Sequence, residues 1–410
     1  MKKIIDKIKN FRIVIDREKE TYSSGELLVL MFVSIAFGMM SMFAMVKAFT
    51  SGKDYVTLNR DLGKLVDAYN IVVDNYDGDI DKEKMIDNAI SGMMSGIEDP
   101  YTTYSTSQNA KKFLEKVSGT YEGIGCEVYT DDEGNIVVGH IVEGGPSEKA
   151  HLQENDIIIE VDNESFVGKT SNDLATYIKN SDNKKVMLKV KRAEEEVYVT
   201  IKKDDVESIT VASSTFTKNN KKIGYIYISI FSTVTTKQFT NAYDKLLSEN
   251  IDGLVIDVRG NIGGYLDVVT DITSLILPKD KIIYHLEDDG NKTTVKDNND
   301  KYFDKPIAIL INGTSASASE ILASAVKESY GGEVIGTKSF GKGTVQSTLT
   351  LSDGSMVKYT AQKWYTPEGN SVINEGVIPT NIIELSEEYK NNPSNDTDNQ
   401  LQTALDLASK

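Results

Sequence analysis

The chain has 410 residues, enough for two to three domains at roughly 100–200 residues each. Its 40% hydrophobic content is that of a folded protein, and 62 acidic against 45 basic residues leave a formal charge of -17, a field that repels phosphates and excludes nucleic acid as a partner. A single cysteine, Cys126, excludes an internal disulfide and a cysteine zinc site, and His140, His151 and His285 lie too far apart for a metal motif.

Leu27 to Val46 is an apolar run without a charge, and at ~1.5 Å per residue such a helix spans roughly 30 Å, the thickness of a bilayer's hydrocarbon. Lys7, Lys9, Arg12, Arg17 and Lys19 precede it, which predicts residues 1–26 in the cytoplasm, one crossing of the cell membrane over 27–46, and the rest on the outer face. A cleaved signal peptide is the alternative. The long polar lead, the length of the apolar run and the lack of a small-residue cleavage site argue for a retained anchor.

Residues 55–117 read as a helical region. Leu58, Leu62, Leu65, Val66 and Tyr69 recur at spacings of three and four. A turn at Asp77-Gly78-Asp79 precedes a second helix from Lys82 to Ile97, which stops before Asp99-Pro100. Residues 118–205 change to short strands, a helix over Asn172–Lys179, and an apolar–charged alternation over Lys185–Lys191 that reads as an edge strand. Residues 206–385 alternate strand and helix, with Ile223–Ile230, Gly253–Val258 and Ile307–Ile311 as strands, and this predicts an α/β domain. Residues 386–410 read as a polar tail, flexible over Asn391–Asn399, with a short helix through Leu401, Ala404, Leu405 and Leu407.

Four segments could carry chemistry. In Ile307–Glu328 a strand runs into serines that open a helix, where free N–H groups and the positive end of the helix dipole suit an attacking oxygen. The same Ser317-Ala-Ser-Glu320 also fits a plain capping box. A nucleophilic serine needs a base, and with no histidine in a partner motif that base would be a lysine whose charge burial disfavours. Lys342 in Ser339-Phe-Gly-Lys-Gly is the candidate, its plainer reading being a solvated turn. Asp257-Val-Arg259-Gly-Asn261-Ile-Gly263-Gly264 follows a strand with glycines that let an N–H face a ligand, or with a structural Asp257–Arg259 pair. Gly123-Ile124-Gly125 opens a strand with amides able to bind a carboxylate while the strand edge takes up the peptide behind it.

Taken in chain order, from Gly123-Ile-Gly125 through Asp257–Gly264 and the Ser317 run to Phe340-Gly-Lys342-Gly, the motifs resemble the C-terminal processing (tail-specific) peptidases of family S41, with the likeness running from about Leu58 to Ile383. The resemblance implies a crotonase/Clp-like α/β core of ββα units with an inserted PDZ domain. It implies Ser317 as nucleophile, Lys342 as general base and Gln346 orienting that lysine. The oxyanion donors would be the N–H of Ala318 and of Gly263 or Gly264, a choice left open. Gly123, Ile124 and Gly125 would bind substrate tails. The implied partners are protein C-termini and, through the helical ends, a second copy of the chain; neither metal nor cofactor is implied. His151 and Asn155 stand where the family's PDZ module has glycines. The rival from another class is a membrane-tethered PDZ adaptor that holds tails without cutting them.

Overall fold

The computed structural model describes residues 31–35, 37–42 and 55–410. Of the expected anchor, residues 31–35 and 37–42 are helical and exposed; its other residues and the stretch 1–26 lie outside the described residues. Among the described residues no helix is long and apolar enough to cross a membrane. The chain divides into two compact units, residues 1–86 and 87–410. The first holds α1 (Tyr55–Asn75), and α2 (Lys82–Ser95) begins at its end.

In the second unit β1 (Thr103–Ser105) leads to α3 (Ser107–Ser118), which Gly119 closes in the left-handed conformation. After β2 (Thr120–Gly123) comes a module with its own core. Its elements are β3 (Cys126–Thr130), β4 (Ile136–Ile141), α4 (Pro146–Lys149), β5 (Ile157–Val161), β6 (Glu164–Ser165), α5 (Ser171–Asn180), β7 (Lys185–Arg192) and β8 (Glu195–Lys202). The sheet runs β3-β4-β5-β7-β8 over Val138, Val161, Phe166, Leu174, Leu188 and Ile201. β7 is therefore interior rather than an edge; its alternation marks one buried and one wetted face of an antiparallel sheet. β9 (Asp204–Glu207) pairs antiparallel with β2, Gly123 opposite Asp204, so both ends of the inserted module leave side by side.

The remainder comprises β10 (Val211–Lys218), β11 (Lys221–Ile228), α6 (Thr235–Ser248), β12 (Gly253–Asp257), α7 (Leu266–Ser274), β13 (Ile282–Asp288), β14 (Asn291–Lys296) and β15 (Ile307–Ile311). There follow α8 (Ala318–Ser324), continued as a π turn to Tyr330, then β16 (Glu333–Gly336), β17 (Thr344–Thr350), β18 (Met356–Tyr365), β19 (Asn381–Ile382), α9 (Glu387–Asn391) and α10 (Asn399–Ala408). A central sheet runs β10-β11-β12-β15-β16-β19, parallel from β11 onward. Its central strands β12 and β15 are buried throughout, and β15 is an unbroken apolar run, because both faces are covered there. α6, α7 and α8 pack on Leu254, Ile256, Ile309 and Ile311; α10 packs on Val255, Ala308, Leu310 and Ile335. A second, antiparallel sheet of β1, β18, β13 and β14, with β17 on β18, stands beside it. The polar tail expected to be flexible is ordered: Asp398 caps α10 through the N–H groups of Gln400 and Leu401, and Leu401, Ala404, Leu405 and Ala408 are buried.

Candidate active site

Three loops leave the C-terminal ends of the neighbouring parallel strands β12, β15 and β16, the edge at which open α/β sheets gather reactive groups. The loop after β15 carries Ser317 into α8. Ser317 has φ 55 and ψ -114, a conformation that costs a non-glycine residue on the order of 1–3 kcal/mol. This is the sharp strand-to-helix turn that lifts a serine hydroxyl clear of the sheet. Ser315 anchors the turn from below, its Oγ donating to the Val258 carbonyl (2.8 Å).

The loop after β12 is held by Asn261, wholly buried. Its Nδ2 donates to the Ile228 carbonyl (2.9 Å), and its own carbonyl accepts from Ala316 N–H (3.1 Å) and Ser319 Oγ (2.9 Å). Gly263 and Gly264 are demanded by space: a Cβ on Gly264 would overlap the Phe231 carbonyl, and one on Gly263 would press on Ala316 and Ser317. Gly263 N–H already donates to Asn261 Oδ1 (2.8 Å), whereas the N–H groups of Gly264 and Ala318 donate to no acceptor among the described residues. Of the two glycines, Gly264 is thus the one with a donor to offer beside Ser317. Just ahead of this loop, Arg259 pairs with Asp257 (2.6 Å) and with Asp398 at the head of α10 (2.9 Å), the structural pair the sequence allowed, extended to the C-terminal helix.

The loop after β16 carries Lys342. Phe340 N–H donates to the Ser315 carbonyl (3.0 Å), and Trp364 Nε1 donates to the Lys342 carbonyl (2.8 Å). Ser317, Ala318, Gly263, Gly264, Lys342 and Gln346 all line one cavity of about 770 Å³, walled by Phe113, Ile230, Ile262, Tyr265 and Trp364. Among the described residues no hydrogen bond joins Lys342 Nζ to Ser317 Oγ. The amine lies over the Tyr101 ring, 5.1 Å from its centroid. Burial pushes its pKa below the ordinary lysine range and the nearby Lys358 ammonium pushes it further, against the opposing pull of Glu320 and Asp99. The expected Gln346–Lys342 hydrogen bond is not formed either. Gln346 sits where the β17–β18 register shifts, and its Nε2 donates to Thr344 Oγ1 (2.8 Å). Three groups that motif spacing gave no role act on the amine: Lys358, which lines the cavity stretched over Phe113 (5.5 Å), Tyr101 beneath the amine, and Asp99, which ties Tyr101 N–H, Thr102 and Thr360. Asp99-Pro100, read in the sequence as a helix stop, was the signal that lay nearest to Asp99 and Tyr101.

In the inserted module Gly123 ends β2, the Ile124 side chain is buried, and Ser147 Oγ donates to the Ile124 carbonyl (2.6 Å). The N–H groups of Ile124 and Gly125 donate to no acceptor among the described residues, and they precede β3, the outer strand of its sheet. An edge strand with two free amides at its start suits a peptide that ends in a carboxylate. His151 (φ 61) and Asn155 (φ 69) adopt the left-handed conformation for which glycine is the unstrained choice.

A strained hydroxyl beside free amides, with a half-buried amine in the same cavity, supplies the parts for acyl transfer to a serine. Residues 222–383 match the model of peptidase family S41, residues 137–192 that of a PDZ domain, and residues 30–109 that of the N-terminal domain of the activating protease CtpB. The chain is 37% identical to the carboxy-terminal processing protease CtpB of Bacillus subtilis (strain 168) over 342 residues, 81% of this chain and 70% of the relative. It is 36% identical to CtpA of the same organism over 329 residues, 80% of this chain and 70% of the relative. A solved structure from Bacteroides fragilis NCTC 9343, assigned to the S41 proteases, superposes with a TM-score of 0.51 at 15% identity, covering 82% of this chain and 92% of that one. That last likeness is one of fold.

Proposed function

The chain belongs to peptidase family S41, and we propose from this that it is a membrane-anchored endopeptidase that cuts proteins near their C-termini. It is a serine peptidase. In the proposed reaction the PDZ module takes a substrate tail on the β3 edge, its carboxylate on the amides of Ile124 and Gly125. Substrate entering the cavity draws Lys342 off the Tyr101 ring toward Ser317. The neutral amine accepts the Ser317 hydroxyl proton as Oγ attacks the scissile carbonyl, and the oxyanion meets the N–H groups of Ala318 and Gly264. Lys342 then protonates the leaving amine, and the same side chain deprotonates the water that releases the acyl group. Gln346 turns to accept from the lysine when it is charged. The observation that carries this reading is the shared cavity, lined both by a serine on a strained turn and by a lysine whose charge burial disfavours.

Leu27–Val46 would hold the chain in the cell membrane with its catalytic part outside, and association as a homodimer through the helical ends belongs to the same proposal. One preparation tests it. In membranes from cells making the full chain, Ser317→Ala and Lys342→Ala should each lower cleavage of a tailed reporter protein by at least about 10³-fold, and the double variant should be no worse than either. The melting temperature should show that all the variants fold. The wild-type activity should sediment with membranes and be destroyed by protease added to intact cells, and the mass of the detergent-solubilised chain reports the dimer. Turnover at the wild-type rate in either single variant would sink the dyad.

A further inference from the structure

Glu320 has no part in the reaction as written, yet its carboxylate is wholly buried beside the site and forms no ion pair with a lysine, arginine or histidine side chain among the described residues. Four hydrogen-bond donors fill it instead. Oε2 accepts from Ser317 N–H (2.8 Å) and Lys342 N–H (2.9 Å); Oε1 accepts from Gly341 N–H (2.7 Å) and Ser339 Oγ (2.6 Å). Helix capping explains only the first of these. The other three come from the lysine loop, which approaches α8 in space but is remote from it in sequence. A buried carboxylate is tolerated only when its lone pairs are met by donors, so the two segments can hardly separate without stranding it.

We infer that Glu320 is a positioning residue of the peptidase reaction: one carboxylate clamps the backbones of Ser317 and Lys342 and so sets the approach of hydroxyl and amine. The inference rests on the dyad reading above. Replacement by glutamine preserves shape and removes function. Whichever way the amide is turned, its NH2 group confronts two of the four donors, and the clamp opens on that side. Charge is lost as well. The groups facing the Lys342 amine are Lys358 from β18, Asp99 ahead of β1, and Glu320 from α8, over the Tyr101 ring; Asp267 and Asp271 on α7 line the same cavity. Without the Glu320 charge, Asp99 alone opposes Lys358 among the neighbours that act on the amine, and its proton is lost at lower pH.

The test compares the detergent-solubilised full chain with Glu320→Gln and Glu320→Asp, using a reporter protein whose tail ends in alanines. Glu320→Gln should reduce kcat by about 10²-fold, the scale of a 1 Å misplacement, with KM unchanged, and should move the acid limb of kcat/KM to lower pH. Glu320→Asp keeps the charge but is too short to reach both segments, so kcat should fall with the limb in place. Should Glu320→Gln fail to fold, Ser339→Ala removes one donor and leaves three; a smaller fall in kcat with KM unchanged supports the clamp, and an unchanged kcat overturns it. Wild-type kcat in Glu320→Gln, or a fall in kcat with the acid limb unmoved, also overturns it. Ser317→Ala and Lys342→Ala run alongside: if they turn over, the dyad reading has failed, and if they are dead while Glu320→Gln behaves as wild type, only the clamp has.

Discussion

Lys342 couples chemistry to stability. Its pKa in the fold lies below 10.5, its ordinary value, because burial and Lys358 outweigh Glu320 and Asp99. The folded state therefore binds fewer protons than the unfolded state between those two values, and stability rises with pH across that window. Below the folded pKa the half-buried ammonium destabilises the protein in full; at pH 10.5 and above the cost has gone. Lys342→Met should accordingly raise the melting temperature at pH 7, with a gain that shrinks as the pH is taken to 10.5. A melting temperature at pH 7 equal to or below that of wild type would contradict this. The same pKa makes activity climb with pH rather than trace a bell around a histidine. That Ser317 and Lys342 share a cavity was legible in the motifs. The resting place of the amine on Tyr101 and the second role of Glu320 were not: spacing three residues on from Ser317 exposes a local cap, whereas the donors from Ser339, Gly341 and Lys342 arrive through tertiary structure. His151 shows the converse, a residue whose left-handed φ was signalled only by its standing where the family's PDZ module has a glycine.

Among the elements, the lead-in to α10 departs furthest from expectation, while α10 itself stands where its apolar stripe predicted. The Asn, Ser, Asp and Thr residues ahead of it suggested a mobile tail, but they satisfy backbone groups: Ser386 caps α9, Ser394 and Thr397 bond each other, and Asp398 caps α10 while holding Arg259. Composition alone does not separate caps from disorder, since both use small polar side chains. The apolar stripe beyond it was readable and is what buries the helix against Val255 and Leu310. Leu405, 2% exposed, should on truncation to alanine cost about 2–5 kcal/mol. Chemical denaturation of Leu405→Ala should show that loss, with kcat intact well below the melting temperature. A denaturation midpoint equal to wild type would mean that α10 is not part of the cooperative fold.

At the scale of the molecule, binding and cutting are assigned to separately cored parts joined by a narrow ribbon. The PDZ module has a closed hydrophobic cluster of its own, and the catalytic sheet has two others. Only β2 and β9 carry the chain in and out, and their register ends with Gly123 opposite Asp204. A tight turn joining those two residues in place of 124–203 should therefore leave the ribbon, α3 and the Ser317 cavity standing. If the module's task is to capture tails, the excised protein should cleave a short peptide with the kcat of the full chain but lose at least about tenfold in kcat/KM on a tailed protein, the deficit appearing as a raised KM, as expected when binding energy remote from the reacting bond is removed uniformly from ground and transition states. An equal fall on peptide and protein would mean that the module shapes the active site itself. Unchanged kinetics on the tailed protein would remove tail capture from the function of the β3 edge.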